Sequence, residues 1–315
     1  MTSKIVVLEK VEMTDEQRKK LETLGNVEWY DSSTTEECIK RVRDADVVVI
    51  DWINPNPFLS AMKNPSLLAL MSTGYSWIGI KQAKELGISI SNIPGYAIEA
   101  VAEHIIGLAL NVARKTMIGD RNIRMGKKEK GYLRGMELKS RTIGIIGLGN
   151  IGRRVAEIAL CLGMDVITYN RHPKNVSGIK DASLEELLNN SDIVCITCPL
   201  NDDSENMLNV ERLKLVKKNA ILVGTTWGVV DIQGLIYELK NKMIYGAGFD
   251  VAIEGGEIEL PDDLIKLDNI VLTPHIGYNT IEAKVRQVNI CISNIENYLK
   301  GTSINIVNMN FGRNK

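Results

Sequence analysis

The chain has 315 residues, a length that suggests two domains. Its 38 Lys and Arg residues nearly balance 39 Asp and Glu residues, and the net charge of −1 argues against a broad basic surface for nucleic acid or an anionic membrane. A hydrophobic fraction of 44% and a charged fraction of 24% are ordinary for a globular protein, which excludes disorder as the main state. No apolar run is long enough to span a membrane.

The cysteines indicate a reducing compartment. They are odd in number and scattered, at positions Cys38, Cys161, Cys195, Cys198 and Cys291. The first residues start directly as a strand, without the layout of a signal peptide, so we expect a cytoplasmic protein. Cys195 and Cys198 form a C-x-x-C, but no second Cys or His pair accompanies them, and we predict no metal site.

Short apolar runs alternate with amphipathic segments in the first hundred residues. Strands are predicted at 5–8, 47–50, 67–71 and 88–90, and helices at 14–24 and 34–43. One long, largely apolar helix is predicted over 97–117, followed by a charged, Gly-punctuated arm or loop over 119–141.

The same alternation returns in the second half of the chain. Strands are predicted at 142–147, 165–169, 193–196, 220–223, 244–249 and 270–272. Helices begin at Ser183 with a capping-box pattern and at Asp231, and a last helix over 280–299 precedes an apolar segment at 304–307. This order predicts an α/β protein with parallel sheets. If segment 304–307 packs on the first half, the first domain comprises residues 1–101 and 286–315, and the second comprises 102–285.

The most specific local feature is a glycine-rich turn, Gly147-Leu-Gly149-Asn150-Ile151-Gly152, between a predicted strand and an amphipathic helix. Gly147 permits the tight turn, Gly149 lets the backbone approach a pyrophosphate, and Gly152 lets helix and strand pack closely. The helix N-terminus then faces the phosphate charge. The arrangement predicts a dinucleotide site; a glycine-rich turn without a ligand is the alternative.

The end of the next strand bears on the choice of cofactor. An NAD site usually has an acidic residue about 20 residues after the glycines, to bind the ribose 2′-hydroxyl. This chain has Asn170 there, followed by Arg171 and His172. The missing carboxylate and the adjacent Arg suit a 2′-phosphate, so NADP(H) is favoured, with NAD(H) as the alternative. If Arg171 is only a solvated loop cation, this preference falls away.

Motifs over nearly the whole chain point to one family. The residues that carry them are Gly74-Tyr75 with Ser91-Asn-Ile-Pro-Gly95, Val101-Ala-Glu-His104, Pro199-Leu200, Gly248-Phe-Asp250-Val251 and Thr273-Pro-His275-Ile-Gly277. Together they resemble the motifs of the D-isomer-specific 2-hydroxyacid dehydrogenases, the group that contains D-lactate, D-3-phosphoglycerate, glyoxylate and hydroxypyruvate reductases.

The resemblance implies reversible hydride transfer between NAD(P)H and a 2-keto acid. It implies two doubly wound domains, a flavodoxin-like substrate domain and a Rossmann dinucleotide-binding domain, with the active site in the cleft between them. It also implies a homodimer formed through residues 97–141. Further site residues follow from it: near the cofactor, Pro199, Ser204, Thr225, Thr226, Asp250 and Gly277; in the substrate loops, Trp52, Ile53, Thr73, Gly74 and Tyr75.

Reduction of a carbonyl needs a proton donor, and histidine is the usual one. The chain has three histidines, and His275 follows a strand end and lies in the family's catalytic motif. We predict His275 as the acid/base, His104 as a helix-packing residue and His172 as a cofactor-edge or solvated one. The family orients its histidine with a Glu after the Asp-Val motif; here both Glu254 and Glu257 compete for that role, with Glu254 favoured.

The largest departure from the family concerns its substrate-binding arginine. The family pattern resembles Val-Asn-x-x-Arg-Gly-x-x-Val-Asp, and this chain has Val223-Gly-Thr225-Thr226-Trp227-Gly-Val-Val-Asp231. Trp227 thus takes the position of the arginine that would clamp the substrate carboxylate and polarise its carbonyl. The loss of such a charge costs several kcal/mol of transition-state stabilisation, by analogy with roughly 3–4 kcal/mol for an oxyanion donor.

Two functions fit these features. The first is an NADP(H)-dependent reductase of the family's chemistry with an altered substrate, which the retained His275 favours. The second is a non-catalytic NADP(H)-binding dimer with a regulatory or binding role, which Trp227 favours.

Overall fold

The computed structural model describes residues 2–128, 130–251 and 260–308. The chain divides into two compact units, Met1–Ala97 with Thr280–Lys315, and Ile98–Asn279. The strands of each unit form one parallel sheet with helices around it, which confirms the predicted fold class. Among the described residues, no helix is long and apolar enough to cross a membrane.

The sheet of the first unit has five strands in the order β2-β1-β3-β4-β5. They are β1 (Lys4–Val7), β2 (Asn26–Trp29), β3 (Val47–Ile50), β4 (Ser66–Leu70) and β5 (Ile88–Ser91). β1, β3, β4 and β5 confirm the predicted strands to within one or two residues. β2 was not predicted, because this edge strand is short and only partly buried, so it lacks a clear apolar run.

Four helices accompany this sheet: α1 (Asp15–Glu22), α2 (Thr35–Arg41), α3 (Ile80–Glu85) and α11 (Ile281–Leu299). Thr14 and Thr34 cap α1 and α2 with reciprocal capping boxes. After α11 the chain returns to β5, where Ile306 makes an antiparallel bridge with Ser91 and the Val307 N–H donates to the Ile90 carbonyl at 2.8 Å. The last described residues therefore extend the sheet that the first residues begin.

The sheet of the second unit has seven strands in the order β12-β11-β10-β9-β6-β7-β8. They are β6 (Thr142–Ile146), β7 (Asp165–Tyr169), β8 (Lys180–Asp181), β9 (Ile193–Ile196), β10 (Ile221–Gly224), β11 (Gly246–Asp250) and β12 (Ile270–Thr273). Two apolar clusters built on this sheet form the core. Only the two-residue edge strand β8 lay outside the predicted set.

The helices of the second unit are α4 (Ile98–Arg114), α5 (Thr116–Arg124), α6 (Asn150–Cys161), α7 (Leu184–Asn190), α8 (Val210–Leu213), α9 (Ile232–Lys240) and α10 (Asp262–Ile265). Short 3-10 turns lie at Leu59–Ala61 in the first unit, and at Gly131–Leu133 and Trp227–Val229 in the second.

The prediction of one helix over 97–117 and a non-helical arm after it is wrong. Lys115 adopts a left-handed conformation with a φ of 54°, which ends α4 and lets α5 start one residue later. The Lys115 ammonium donates to the Tyr132 carbonyl at 2.9 Å, so a tertiary contact accompanies the break. Neither Gly nor Pro marks this position in the sequence, and the apolar pattern continues across it.

Candidate functional site

The glycine-rich turn joins the carboxyl end of β6 to α6. Gly147 has a φ of 97°, and a Cβ atom there would lie 2.6 Å from the Cys198 backbone nitrogen. A Cβ at Gly152 would clash with the Gly147 carbonyl oxygen, whereas nothing lies within 4 Å of a Cβ built at Gly149. The local backbone therefore requires Gly147 and Gly152, while Gly149 leaves free space in front of the N-terminus of α6.

A pocket of about 690 Å³ opens beside this turn. Asn170 forms part of its wall, and its Oδ1 accepts a hydrogen bond from the Leu148 N–H at 2.6 Å. The Asn170 amide also donates to Thr168 Oγ1 at 3.2 Å. Asn170 thus holds the glycine turn in place, and no acidic side chain stands at the position that would bind a ribose 2′-hydroxyl.

Two cationic side chains, Arg171 and Lys174, line the same pocket, together with the His172 imidazole and the Asp203 carboxylate. The Arg171 guanidinium lies 2.7 Å from the Asp203 carboxylate, and both side chains are largely exposed. Asp203 therefore partly neutralises Arg171, the residue predicted to bind the 2′-phosphate. The sequence did not identify Asp203 as part of this site.

The opposite wall follows β9 and includes Thr197, Cys198, Pro199 and Ser204. The buried Ser204 hydroxyl donates to the Pro199 carbonyl at 2.7 Å and accepts from the Asn201 N–H at 2.8 Å, so it stabilises its own loop. Burial raises the pKa of the Cys198 thiol and keeps it protonated.

Thr225 and Thr226 follow the neighbouring strand β10. The Thr226 hydroxyl donates to the Cys198 carbonyl at 2.9 Å and ties the end of β10 to the end of β9. Thr225 is half-buried beside it.

His275 lies just beyond the end of β12. It has a φ of 51°, and its ring is exposed and meets the Tyr278 ring edge-on at a centroid distance of 5.5 Å. A left-handed φ is unfavourable for a residue other than glycine. The turn that carries His275 is therefore held by its surroundings.

Asp250, at the end of β11, supplies that support. Its side chain is only 2% exposed. Its Oδ1 accepts from the Ile276 N–H at 2.9 Å and from Thr273 Oγ1 at 2.6 Å, and its Oδ2 accepts from the Gly277 N–H at 2.7 Å. His104 Nε2, from α4, lies 2.9 Å from Thr273 Oγ1 and 3.7 Å from Asp250 Oδ1.

Trp227 is half-buried in the 3-10 turn after β10. Its ring packs edge-on against the buried Phe249, with a centroid distance of 5.0 Å and an angle of 81°. The family pattern has ten positions, whereas residues 223–231 number nine. The segment is one residue shorter than the pattern and can be aligned with it from either end. Aligned from Val223, the arginine position is Trp227, and aligned from Asp231, it is Thr226, which corrects the single alignment on Trp227. Neither residue is cationic.

The predicted substrate residues lie at the carboxyl ends of two neighbouring strands of the first unit. Trp52 and Ile53 follow β3, and Trp52 is 64% exposed. Residues 73–75 follow β4 and are exposed, and the Thr73 hydroxyl donates to the Ile93 carbonyl at 2.9 Å. One Glu9 oxygen accepts from the N–H groups of Asp51, Trp52 and Ile53 at 2.8, 2.9 and 3.0 Å and so shapes the first loop.

Asp51 is the one carboxyl in the described part of the chain whose pKa rises as far as about 6. Burial causes the rise, Lys284 opposes it and Glu9 reinforces it. Glu254 and Glu257, the two candidates for orienting His275, lie outside the described residues. Within the described ranges, no group of His, Cys, Asp and Glu side chains is arranged to hold a metal ion.

Comparison with known proteins decides the family. Residues 106–277 match the family model described as D-isomer specific 2-hydroxyacid dehydrogenase, NAD binding domain. A glyoxylate reductase of Pyrococcus furiosus is 36% identical over 84% of this chain and 83% of its own length. A hydroxypyruvate reductase of Thermotoga maritima is 35% identical over 80% of this chain and 84% of its own. The chain belongs to the D-isomer-specific 2-hydroxyacid dehydrogenase family.

A solved structure agrees with this assignment. An acyclic imino acid reductase, Bsp5, in complex with NADPH and D-Arg has a TM-score of 0.85 and 32% identity, covering 96% of this chain and 99% of its own. Membership of the family makes the protein an enzyme of the NAD(P)-dependent 2-hydroxyacid dehydrogenase type, and the matched domain covers most of the second unit. The open space at Gly149 and the cationic wall suit a nicotinamide dinucleotide.

Two side chains in this member of the family make contacts that the sequence did not reveal. His104 was predicted to be a packing residue, and Asp203 was not singled out. His104 stands in a motif that carried the family resemblance, but its partners Thr273 and Asp250 lie well over a hundred residues away. The available signal was Asp250 itself, an aspartate at the end of an otherwise apolar predicted strand, because a carboxylate buried there would require several donors.

Proposed function

We propose that the protein is an NADP(H)-dependent reductase that acts on a 2-oxo acid or a related carbonyl compound with an apolar or aromatic group. The observation that supports it best is a juxtaposition within the second unit. The glycine turn, Thr226, Asp250 and His275 lie at the carboxyl ends of β6, β10, β11 and β12 in one parallel sheet. That edge is where α/β folds bind their ligands.

The preference for NADP(H) rests on the wall that follows β7. Asn170 is committed to the glycine turn, Arg171 and Lys174 offer positive charge to a 2′-phosphate, and the His172 ring offers a further N–H donor. An NAD(H) enzyme would be expected to place a carboxylate at position 170. The pairing of Arg171 with Asp203 means that a 2′-phosphate must compete for the guanidinium.

His275 is the proposed proton donor. When NADPH is bound, it supplies the hydride to the carbonyl carbon, and the oxygen then needs a proton. The exposed imidazole at the end of β12 can reach a ligand, and a histidine exchanges protons readily near neutral pH. The Asp250-supported turn fixes the backbone from which that imidazole projects.

The substrate is expected to differ from those of relatives that use an arginine. Trp227 offers an apolar face and one N–H donor, and neither it nor Thr226 brings a positive charge. The substrate therefore presents an apolar or aromatic group to Trp227, or carries its anion away from the carbonyl.

A second candidate function, reduction of a C=N bond, is favoured by the likeness to Bsp5. That protein, an acyclic imino acid reductase, was solved with NADPH and D-Arg. Its similarity extends over nearly the whole of both chains. An imine of a 2-oxo acid would need the same hydride and the same proton as the corresponding carbonyl compound.

A screen of NADPH oxidation tests these proposals. The panel contains small and bulky 2-oxo acids and other carbonyl compounds, each with and without ammonia or a primary amine. We expect turnover with bulky, apolar carbonyl compounds, and a gain with the amine would identify imine reduction. His275→Ala should abolish turnover while NADPH binding, measured by fluorescence titration, survives. NADPH binding without oxidation of any compound would contradict the proposal and favour a non-catalytic role.

We also propose that the protein forms a homodimer through α5. Met117 and Ile123 in this helix, Met125 at its end and Tyr132 beyond it are large exposed apolar residues. Several large exposed apolar residues within one short segment are a feature of protein–protein interfaces. Closed two-fold dimers are the commonest homo-oligomers.

A further inference from the structure

Hydrogen bonds connect His104 through Thr273 and Asp250 to the turn that carries His275. Their geometry determines which atom of each pair is the donor. The Asp250 carboxylate can only accept, and Thr273 Oγ1 lies 2.6 Å from its Oδ1. The single hydroxyl proton of Thr273 is therefore donated to Asp250. His104 Nε2 lies 2.9 Å from the same Oγ1, so Nε2 must be the donor and must carry a proton.

The same chain reaches the backbone that carries His275. Asp250 accepts from the Ile276 and Gly277 N–H groups, which directly follow His275. A Cβ atom at Gly277 would lie 2.9 Å from Asp250 Oδ2 and 3.3 Å from His104 Cδ2. The imidazole of His104, the carboxylate and the turn are thus in mutual contact, around a residue whose φ of 51° needs support.

We propose that His104 is a positioning residue that acts through Thr273 and Asp250 on the His275 turn. Its Nε2–H orients the Thr273 hydroxyl toward Asp250, and the carboxylate then holds the two N–H groups beyond His275. Without the His104 donor, the Thr273 hydroxyl is free to rotate and the carboxylate loses a fixed partner. The inference rests on the proposed function, in which His275 donates the proton.

The tautomer of His104 can be measured without any assay of activity. The chain has only three histidines, so long-range ¹H–¹⁵N spectra of the ¹⁵N-histidine-labelled protein can be assigned with His172→Gln and His275→Gln variants. We expect Nε2 of His104 to carry a proton. A neutral ring protonated at Nδ1 would overturn the proposal.

Two substitutions at His104 separate positioning from packing. His104→Gln keeps a donor near the place of Nε2, whereas His104→Phe keeps the ring shape and removes the donor. We expect His104→Phe to lower kcat by about tenfold to hundredfold, because a small misplacement of a catalytic group has effects of that size. NADPH affinity and the thermal midpoint should stay close to those of the unmodified protein, and His104→Gln should recover most of kcat.

Further variants complete the test. Glu103→Gln changes an exposed neighbour on the same helix and should leave kcat unchanged. Thr273→Val combined with His104→Phe should be no worse than either change alone, because both interrupt one chain. Equal kcat in His104→Phe and the unmodified protein, with His275→Ala inactive, would refute the positioning role alone. Full turnover in His275→Ala would instead refute the proposed proton donor. If His104→Phe does not fold, the tautomer measurement decides.

Discussion

The Arg171 guanidinium, for which we propose a role in the choice of cofactor, lies 2.7 Å from Asp203. An exposed ion pair of this kind contributes little to stability. A 2′-phosphate carries more charge than Asp203 and more acceptor oxygens, so it should win the guanidinium. We therefore expect Asp203 to weaken binding of NADPH, and a neutral residue there should strengthen it.

Arg171→Ala should weaken binding of NADPH far more than binding of NADH. A charge-assisted hydrogen bond contributes about 1.5–3 kcal/mol, which corresponds to roughly tenfold to hundredfold in Kd. Asp203→Asn is the matched variant, and it should tighten NADPH binding while leaving NADH binding unchanged. Fluorescence titration of both cofactors measures these effects. Equal affinity of the unmodified protein for NADPH and NADH would show that Arg171 does not select the cofactor.

Trp227 and Thr226 both correspond to the family's arginine, depending on which end of the motif is counted. We expect the unmodified protein to reduce pyruvate and glyoxylate poorly, because neither residue can clamp a carboxylate. Trp227→Arg should restore part of this activity. Thr226→Arg is the matched comparison, because Thr226 takes the arginine position when the motif is aligned from Asp231. The measurement is kcat/KM for both oxo acids with NADPH. Efficient reduction by the unmodified protein would mean that another residue does the arginine's work.

At the scale of the elements, hydrophobic periodicity and turn residues predicted those strands and turns that the local sequence determines. The strands with continuous apolar runs and the glycine turn before α6 are of this kind. β2 and the break at Lys115 depend on tertiary contacts, since β2 is a partly buried edge strand and Lys115 reaches Tyr132. Sequence alone could not show them.

The candidate site likewise has a part that the sequence predicts and a part that depends on tertiary contacts. His275 could be proposed as the proton donor from the sequence because it lies in a recognisable motif at a strand end. Its support was not found, because Asp250, Thr273 and His104 come from β11, β12 and α4, which meet only in the folded unit. The pairing of Asp203 with Arg171 likewise depends on how the loops after β7 and β9 approach each other.

At the scale of the whole molecule, α5 and the segment after it carry several large exposed apolar side chains. Ile123 in α5 is 68% exposed, and Met117, Met125 and Tyr132 are exposed as well, whereas Ile281, at the start of α11, is 81% exposed outside this segment. A surface that stayed in contact with water would gain nothing from this group of large apolar residues. Association of two copies through α5 would bury them.

Ile123→Asp should therefore convert the protein from a dimer to a monomer, because two like charges would face apolar surface across a two-fold interface. Ile281→Asp, which replaces an even more exposed isoleucine outside α5, should leave the dimer intact. Light scattering coupled to size-exclusion chromatography measures the mass of each variant, and circular dichroism shows that both are folded. A monomeric mass for the unmodified protein, or a folded dimer of Ile123→Asp, would exclude α5 as the interface.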